Sequence, residues 1–373
     1  MREFISGAEA IARGALKAGC NFFAGYPITP ATPILLHMLR ELPRQGGVAI
    51  QAEDEIAALG MCLGAVMSGS RAMTATSGPG MSLFSEQLGM AIMTESPLVI
   101  VDVQRMGPAT GGATTGAQGD VQFARWGTSG GYPLIVLAPM DAAGCYTLTQ
   151  RAFDLAERFR TPVILLCDKE TILDYSTVES AAWQDPPVRE RRLAPAQESF
   201  IPFRFEKPAS VTAMSPFGGP HRVRLSASAH DERGYLTKSS AHMGRKNEHL
   251  EAKIQHGQDE IALLETDLQP EADTLILSYG ITAQSAKEAA QRRRRAGGWV
   301  SVVSVISLWP VPERQLRQAL STAHRIVVAE LNQGQYRREI ERLLSDQQEL
   351  VGVQRLDGEL LSPEQILQEG GLR

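Results

Sequence analysis

The 373 residues carry 37 basic and 42 acidic side chains, a net charge of −5, with 43% hydrophobic and 21% charged residues. That length supports two or three domains with cores of their own. The acidic excess argues against a nucleic acid or an anionic membrane as the main partner. No stretch approaches the ~20 apolar residues of a membrane span. The opening residues lack the apolar core of a signal peptide and read as an amphipathic helix. Cys20, Cys62, Cys145 and Cys167 form no CxxC and each falls inside a helix or strand pattern. They read as small core residues in a reducing, cytoplasmic compartment, with no zinc or iron–sulfur motif among them.

Residues 1–168 alternate helix and strand. Ser6-Gly7-Ala8-Glu9 is a capping box opening a first helix, which Gly19 ends. Cys20 to Ala24 is a short apolar strand, and Val48 to Ala52, Arg71 to Ala75, Leu98 to Val103, Leu134 to Leu137 and Pro162 to Leu166 follow, most of them separated by helical stretches. Such alternation means a parallel sheet covered on both faces, an α/β fold. Residues 169–265 lose the period at Pro186-Pro187 and Gly218-Gly219-Pro220 and read as a long connection that wraps a neighbour, passing into a charged helix near 244–256. Residues 266–373 restart the alternation with strands at Thr274 to Tyr279, Trp299 to Val305 and Arg325 to Glu330, a second and smaller α/β domain. The basic run Arg292 to Arg295 ends a helix, where cations suit the dipole.

Four segments could carry chemistry. Gly25-Tyr26-Pro27-Ile28-Thr29-Pro30 closes the first strand, with Thr29 and Pro30 in the N-cap and N1 pattern of a new helix. It is either a capped turn only or a helix N-terminus offered to an anion, since ligands of open α/β sheets bind outside the carboxyl ends of strands. Glu53-Asp54-Glu55 precedes twelve uncharged residues, Ile56 to Met67, which predicts a helix buried on every side. All three acids suit a first helical turn. Glu55 alone shares a face with Leu59, Cys62 and Val66, and a carboxylate on a buried stripe needs a partner such as a ligand nitrogen. Thr76-Ser77-Gly78-Pro79-Gly80 is a strand-to-helix turn whose glycines let backbone approach a ligand, without matching a nucleotide motif. Gln104 to Gly112, running on to Asp120, is a glycine-rich loop with Arg105 at its root, a planar cation suited to a carboxylate or simply a surface arginine.

In combination and order, GYPITPAT at 25–32, QAEDEIAALG at 51–60, TSGPGMSLFSE at 76–86 and QRMGPATG at 104–111 resemble the α subunit of 2-oxoacid:ferredoxin oxidoreductases. LSYGITAQSAKEA and the SLWPVPE turn at 307–313 extend the resemblance to the C-terminal part, and it is least clear at 175–265. It implies a thiamine diphosphate pyrimidine domain at 1–168 and a transketolase C-terminal-like domain at 266–373. It also implies a separate β subunit that holds the diphosphate through Mg²⁺ and carries a [4Fe–4S] cluster, in an α2β2 assembly using coenzyme A and ferredoxin. Consistent with that division, the chain has no GDG diphosphate motif, no cluster cysteines and no metal ligands of its own.

By the same resemblance, Glu55 is the acid that hydrogen-bonds the aminopyrimidine ring and favours its imino tautomer. Pro27, Ser77 and Gly78 line the cofactor, Thr29 and Ile28 meet the substrate, and Arg105 pairs with its carboxylate. The implied reaction is oxidative decarboxylation of a 2-oxoacid to its acyl-CoA, or the reverse. Many 2-oxoglutarate-type members read GGPSTGLPTK after the arginine. This chain has MGPATGGATT and no lysine there, so pyruvate, branched-chain and aryl 2-oxoacids stand beside 2-oxoglutarate, the favoured substrate. His221, Arg222 and Arg224 are candidates for a distal carboxylate, or are linker charges. From the residues alone, a non-catalytic α/β protein that binds a phosphate ligand at the Thr76–Gly80 turn is the alternative.

Overall fold

The computed structural model describes residues 2–179, 181 and 183–372. The first five of these form a strand, β1 (Arg2–Ser6), where a helix was expected. Ser6 then caps α1 (Gly7–Lys17) by accepting the Glu9 N–H at 3.3 Å, and Gly19 turns the chain out at φ +79°. A strand–helix unit repeats through β2 (Phe22–Gly25), α2 (Thr32–Glu41), β3 (Val48–Gln51), α3 (Glu55–Met67), β4 (Ala72–Thr76), α4 (Gly78–Met93) and β5 (Leu98–Gln104). It continues with α5 (Val121–Trp126), β6 (Ile135–Leu137), α6 (Ala142–Phe159), β7 (Pro162–Asp168) and α7 (Lys169–Leu173). Then β8 (Tyr175–Glu179) returns to pair antiparallel with β1.

The main sheet has the order β6-β7-β5-β4-β2-β3, all parallel. β5 and β7 read as unbroken apolar runs because helices cover both of their faces, and every residue in them is buried. α1, α2 and α6 pack on one face, and α3, α4 and α5 on the other. All four cysteines are free and buried, and burial pushes the Cys20 thiol up to about 12.

Between 183 and 239 the chain forms turns and isolated bridges without a regular helix or strand, then enters α8 (Ser240–His256) and α9 (Gln258–Ile261). α8 is anchored on one buried carboxylate. Glu95, 1% exposed, accepts from Lys246, from His249 Nε2 at 2.9 Å and from Lys253 Nζ at 3.0 Å. Burial alone would raise its pKa, but Lys246, Lys253 and His249 together hold it well below the usual carboxylate range. Burial in turn pulls Lys253 down to about 8 against the pull of Glu95.

The remaining chain builds a second sheet. Its elements are β9 (Leu264–Asp267), β10 (Thr274–Tyr279), α10 (Thr282–Arg295), β11 (Ser301–Val305), β12 (Ser307–Trp309), α11 (Glu313–Leu320), β13 (Arg325–Glu330), α12 (Arg337–Glu341), β14 (Glu349–Gln354) and α13 (Pro363–Glu369). The order is β14-β13-β10-β11-β9, with only β9 antiparallel. β12 does not join it. It crosses to the first sheet and pairs antiparallel with β6. The two sheets are also tied by Gln118, fully buried in the loop after β5. Its amide donates to Asp168 Oδ2 (3.3 Å) and Tyr279 O (3.2 Å), and accepts from Leu331 N and Thr282 Oγ1, both at 3.0 Å.

Glu95→Gln leaves two lysines and His249 buried around a neutral amide. The expected loss is about 3–5 kcal/mol of folding stability, measured by urea denaturation, with hydrogen exchange showing α8 released first.

Candidate active site

The strand order fixes where the functional loops meet. From β2 the chain passes through α2 to β3 on one side, then through α3 to β4 on the other. This reversal opens a crevice at the carboxyl ends of β2 and β4. The Tyr26–Pro30 loop leaves β2 there and the Ser77–Gly80 turn leaves β4.

The three acids of the EDE triplet take three different fates. Glu53 is exposed. Asp54 is the N-cap of α3, its Oδ1 accepting the Ala57 N–H at 2.7 Å. Glu55 is 7% exposed, in line with the fully buried Leu59, Cys62 and Val66, and no hydrogen bond to its carboxylate occurs among the described residues. The carboxylate lies against α4: a Cβ on Gly80 would sit 1.9 Å from Thr76 Oγ1, 2.8 Å from Glu55 Cγ and 3.0 Å from Glu55 Oε1. Glycine at 80 is therefore what lets Glu55 and Thr76 share this space. Ser77 precedes α4 without capping it, and its Oγ is buried and unpartnered. A buried carboxylate and a buried hydroxyl, both without protein partners, at the first turns of two helices fit the polar edge of a heteroaromatic cofactor such as the thiamine pyrimidine.

Arg105 joins this edge to the β2 loop. It is 7% exposed and donates Nη1–H to Thr29 O at 2.7 Å, while its Nε is buried and unpartnered. Thr29 itself is exposed and its hydroxyl makes no hydrogen bond among the described residues, and Pro27 and Ile28 beside it are partly buried. The structure thus brings Thr29 and Arg105 together, and Glu55 together with Thr76 and the Gly78–Gly80 turn.

Two expectations need correction, and the Gly218–Arg224 charges fit the linker reading. Thr29 and Pro30 are not the N-cap and N1 of α2. The helix starts at Thr32 after Ala31, Pro33 occupies its first turn, and Thr29–Pro30 lies in the preceding turn as a cis peptide. Of Pro27, Pro30 and Pro33, only the last lies in the helix. α3 is not buried all round, because Ile56 is 48% exposed and Gly60 and Gly64 lie on the same open face. The Gly218–Arg224 segment lies near the far edge of the sheet. Phe217 N donates to Met67 O at the C-terminal end of α3, His221 bonds Ser215 and Glu198 O, and Arg224 stacks over Tyr235.

The residues that sequence reasoning missed are acids. Asp102, in the middle of apolar β5, is fully buried with both oxygens unpartnered. Asp120 lies over Gly78, where a Cβ would meet both its oxygens at 3.0 Å. Asp168 ends β7 and accepts the Ile281 N–H at 2.6 Å, and burial pushes it up to about 7 against that bond and Gln118. A lone Asp inside LVIVDVQ was the available signal. A cavity of about 620 Å³ between α5, α8 and the Trp309–Pro310 turn shares no residue with this cluster.

An α/β chain with a switch-point crevice and a partnerless acid has the elements of a ligand site. Comparison with known proteins specifies which. The family described as pyruvate flavodoxin/ferredoxin oxidoreductase, thiamine diphosphate-binding, matches residues 13–248, and pyruvate:ferredoxin oxidoreductase core domain II matches residues 272–366. The chain is 41% identical to 2-oxoglutarate synthase subunit KorA of Methanothermobacter marburgensis, covering 98% of this chain and 97% of that one. It is 31% identical to ketoisovalerate oxidoreductase subunit VorB of Methanothermobacter thermautotrophicus, covering 98% and 96%. A solved 2-oxoglutarate:ferredoxin oxidoreductase from Magnetococcus marinus, with 2-oxoglutarate, coenzyme A and succinyl-CoA bound, superposes with a TM-score of 0.91 at 33% identity, over 98% of this chain and 64% of that chain. A split-gene transketolase, at TM-score 0.53 and 14% identity, shares the fold alone. The chain belongs to the 2-oxoacid:ferredoxin oxidoreductase family, as an α-type subunit with a thiamine diphosphate-binding domain.

Gly80→Ala would push Glu55 or Thr76 from its place. Misplacing a reacting group by about 1 Å costs on the order of a hundredfold in rate. The expected result is that loss in turnover of the assembled enzyme together with lowered thiamine diphosphate content, while circular dichroism stays unchanged.

Proposed function

We propose that this chain is the α subunit of a cytoplasmic α2β2 enzyme that converts 2-oxoglutarate, coenzyme A and oxidised ferredoxin to succinyl-CoA, CO₂ and reduced ferredoxin, a reaction open to reversal. The observation that carries the reading is Glu55, a buried carboxylate without a protein partner at the head of α3. Thiamine diphosphate supplies the electron sink that lets CO₂ leave a 2-oxoacid. Glu55 would hydrogen-bond a ring nitrogen of that group, and Pro27, Ser77 and Gly78 would line it. Arg105, steadied by Thr29 O, keeps Nε and Nη2 to grip the substrate carboxylate, and Ile28 and the Thr29 hydroxyl complete that end of the pocket. Burial of both groups excludes water and strengthens each interaction.

A β subunit contributes the Mg²⁺–diphosphate site and the [4Fe–4S] cluster in this reading. The open apolar face of α3 and α4, with Ile56 48% and Leu83 47% exposed, supports a second chain seated there. The domain division at 168 and 265, with 169–265 wrapping a neighbour, belongs to the same proposal. 2-Oxoglutarate is favoured over pyruvate, branched-chain and aryl 2-oxoacids by the names of the relatives at 41% identity. A non-catalytic phosphate-binding role would need neither a partnerless Glu55 nor a buried Arg105 with a free Nε.

The test is co-expression with the partner and assay of coenzyme A-dependent viologen reduction across a panel of 2-oxoacids. The complex is expected to prefer 2-oxoglutarate and the lone chain to be inactive, so turnover by the lone chain would overturn the subunit reading. In the complex, Glu55→Gln is expected to lower kcat by about a hundredfold or more, with Glu53→Gln and Asp54→Asn milder. Arg105→Lys keeps the charge but loses the planar fork. It is expected to raise KM for the 2-oxoacid about ten- to a hundredfold, the loss of a charge-assisted bond of roughly 1.5–3 kcal/mol, with thiamine diphosphate content unchanged.

A further inference from the structure

Two carboxyl groups beside the site have no part in the roles above. Asp102 is sealed in β5, and neither oxygen meets a hydrogen-bond donor among the described residues. Asp120, next to the start of α5, covers the first turn of α4 at Gly78, and its Oδ2 is buried and equally unpartnered. The cation whose charge acts on Asp120 is Arg105, more than nine-tenths buried, with an unpartnered Nε and, among the described residues, one hydrogen bond, to Thr29 O. No ion pair closes between Arg105 and Asp120, although each lies within the other's field.

The other charged groups nearby are held apart from Asp120. Asp168 at the end of β7 is separated from it by Gln104, whose Oε1 accepts the Asp120 N–H at 3.1 Å and whose Nε2 donates to Asp168 Oδ1 at 3.4 Å, and Glu170 in α7 is paired with Lys169. Glu55 packs at Gly80, further along α4. An ionised carboxylate with no donor is a costly thing to bury, and the neutral acid is the favoured state. Burial, then repulsion from Asp120, lifts Asp102 well above the ordinary carboxyl range. Burial lifts Asp120 to about 6, with the Arg105 charge pulling the other way. Asp102 is thus the stronger holder of a proton and Asp120 the more readily ionised of the two, with the Arg105 charge favouring its ionised form.

We propose that Asp102 and Asp120 form a proton-holding pair behind Arg105, so that a 2-oxoacid carboxylate binds to Arg105 together with a proton taken up by Asp120. This rests on the reading of Arg105 as the substrate's cation. An arriving anion cancels the attraction that keeps Asp120 ionised and adds repulsion of its own. A proton from solvent then bonds to a carboxyl oxygen of Asp120, and one negative charge is removed from beside the bound substrate. No electron moves in this step. The linkage has a definite sign. The free group titrates near 6 and the anion-bound group higher, so anion affinity rises as pH falls through that interval and levels off below it.

The experiment uses the thiamine diphosphate-loaded complex of this chain with its partner subunit. Two unreactive 2-oxoacid isosteres, N-oxalylglycine and oxamate, are titrated calorimetrically from pH 6 to 9 in buffers of different ionisation enthalpy, and the tighter binder is followed. Expected is uptake of up to about one proton per site near pH 7, vanishing toward pH 9, with Kd tightening by at most about tenfold per pH unit as pH falls. In Asp120→Asn the uptake should vanish and Kd become flat. Asp102→Asn imitates the neutral acid and should retain the uptake. Binding without proton uptake in the unmodified complex overturns the pair even if the variants do not fold, and so does uptake that survives in Asp120→Asn. If neither probe binds, or Arg105→Lys leaves Kd unchanged, the assignment of Arg105 fails instead.

Discussion

Gln118 holds two sheets in one block with the two ends of a single amide. Its Nε2 and Oε1 reach Asp168 and Tyr279 on one side and Leu331 and Thr282 on the other, and its backbone adds Leu331 O and the Asn332 amide. The Arg105 end of the first sheet's carboxyl edge hangs from the strands this node reaches. Asp168 ends β7, Gln104 ends β5 and bridges Asp168 to Asp120, and Arg105 follows Gln104 directly. Moving the second sheet would shift the arginine through these bonds. Gly280, at φ +54°, is the local requirement: a Cβ there would stand 2.1 Å from Asp168 Oδ2, so only glycine lets the β10 turn come this close.

The α/β layering was legible because parallel strands buried on both faces must be continuous apolar runs, and β5 and β7 are such runs. Thr274 to Tyr279 and Arg325 to Glu330 were readable to the residue for the same reason. β1 and β8 were not legible. They pair only with each other on the surface, through polar and exposed residues such as Arg2 and Glu179. β12 was hidden because three residues carry no period. Its assignment depends on β6, a partner far away in sequence.

Within the site, helical spacing separated Glu55 from Glu53 and Asp54, since only the residue in phase with Leu59, Cys62 and Val66 turns inward. The meeting of Arg105 with Thr29 was not readable, because it depends on two loops from different strands and on a backbone carbonyl. The open face of α3 was misread for a more general reason. Periodicity says that a surface is apolar and is silent about which chain covers it. Ile56 is as hydrophobic as any core residue and yet stands free in this chain.

The crossing of β12 also sets the order in which the protein can be completed during synthesis. β6 is made early, but the strand that shields its outer edge lies beyond α10 and β11. Until the ribosome has delivered Trp309, a growing chain presents β6 as an open, apolar template of the kind that invites pairing with other chains. The first sheet is therefore finished by the last third of the polypeptide, and the two α/β layers reach their final form together rather than one after the other.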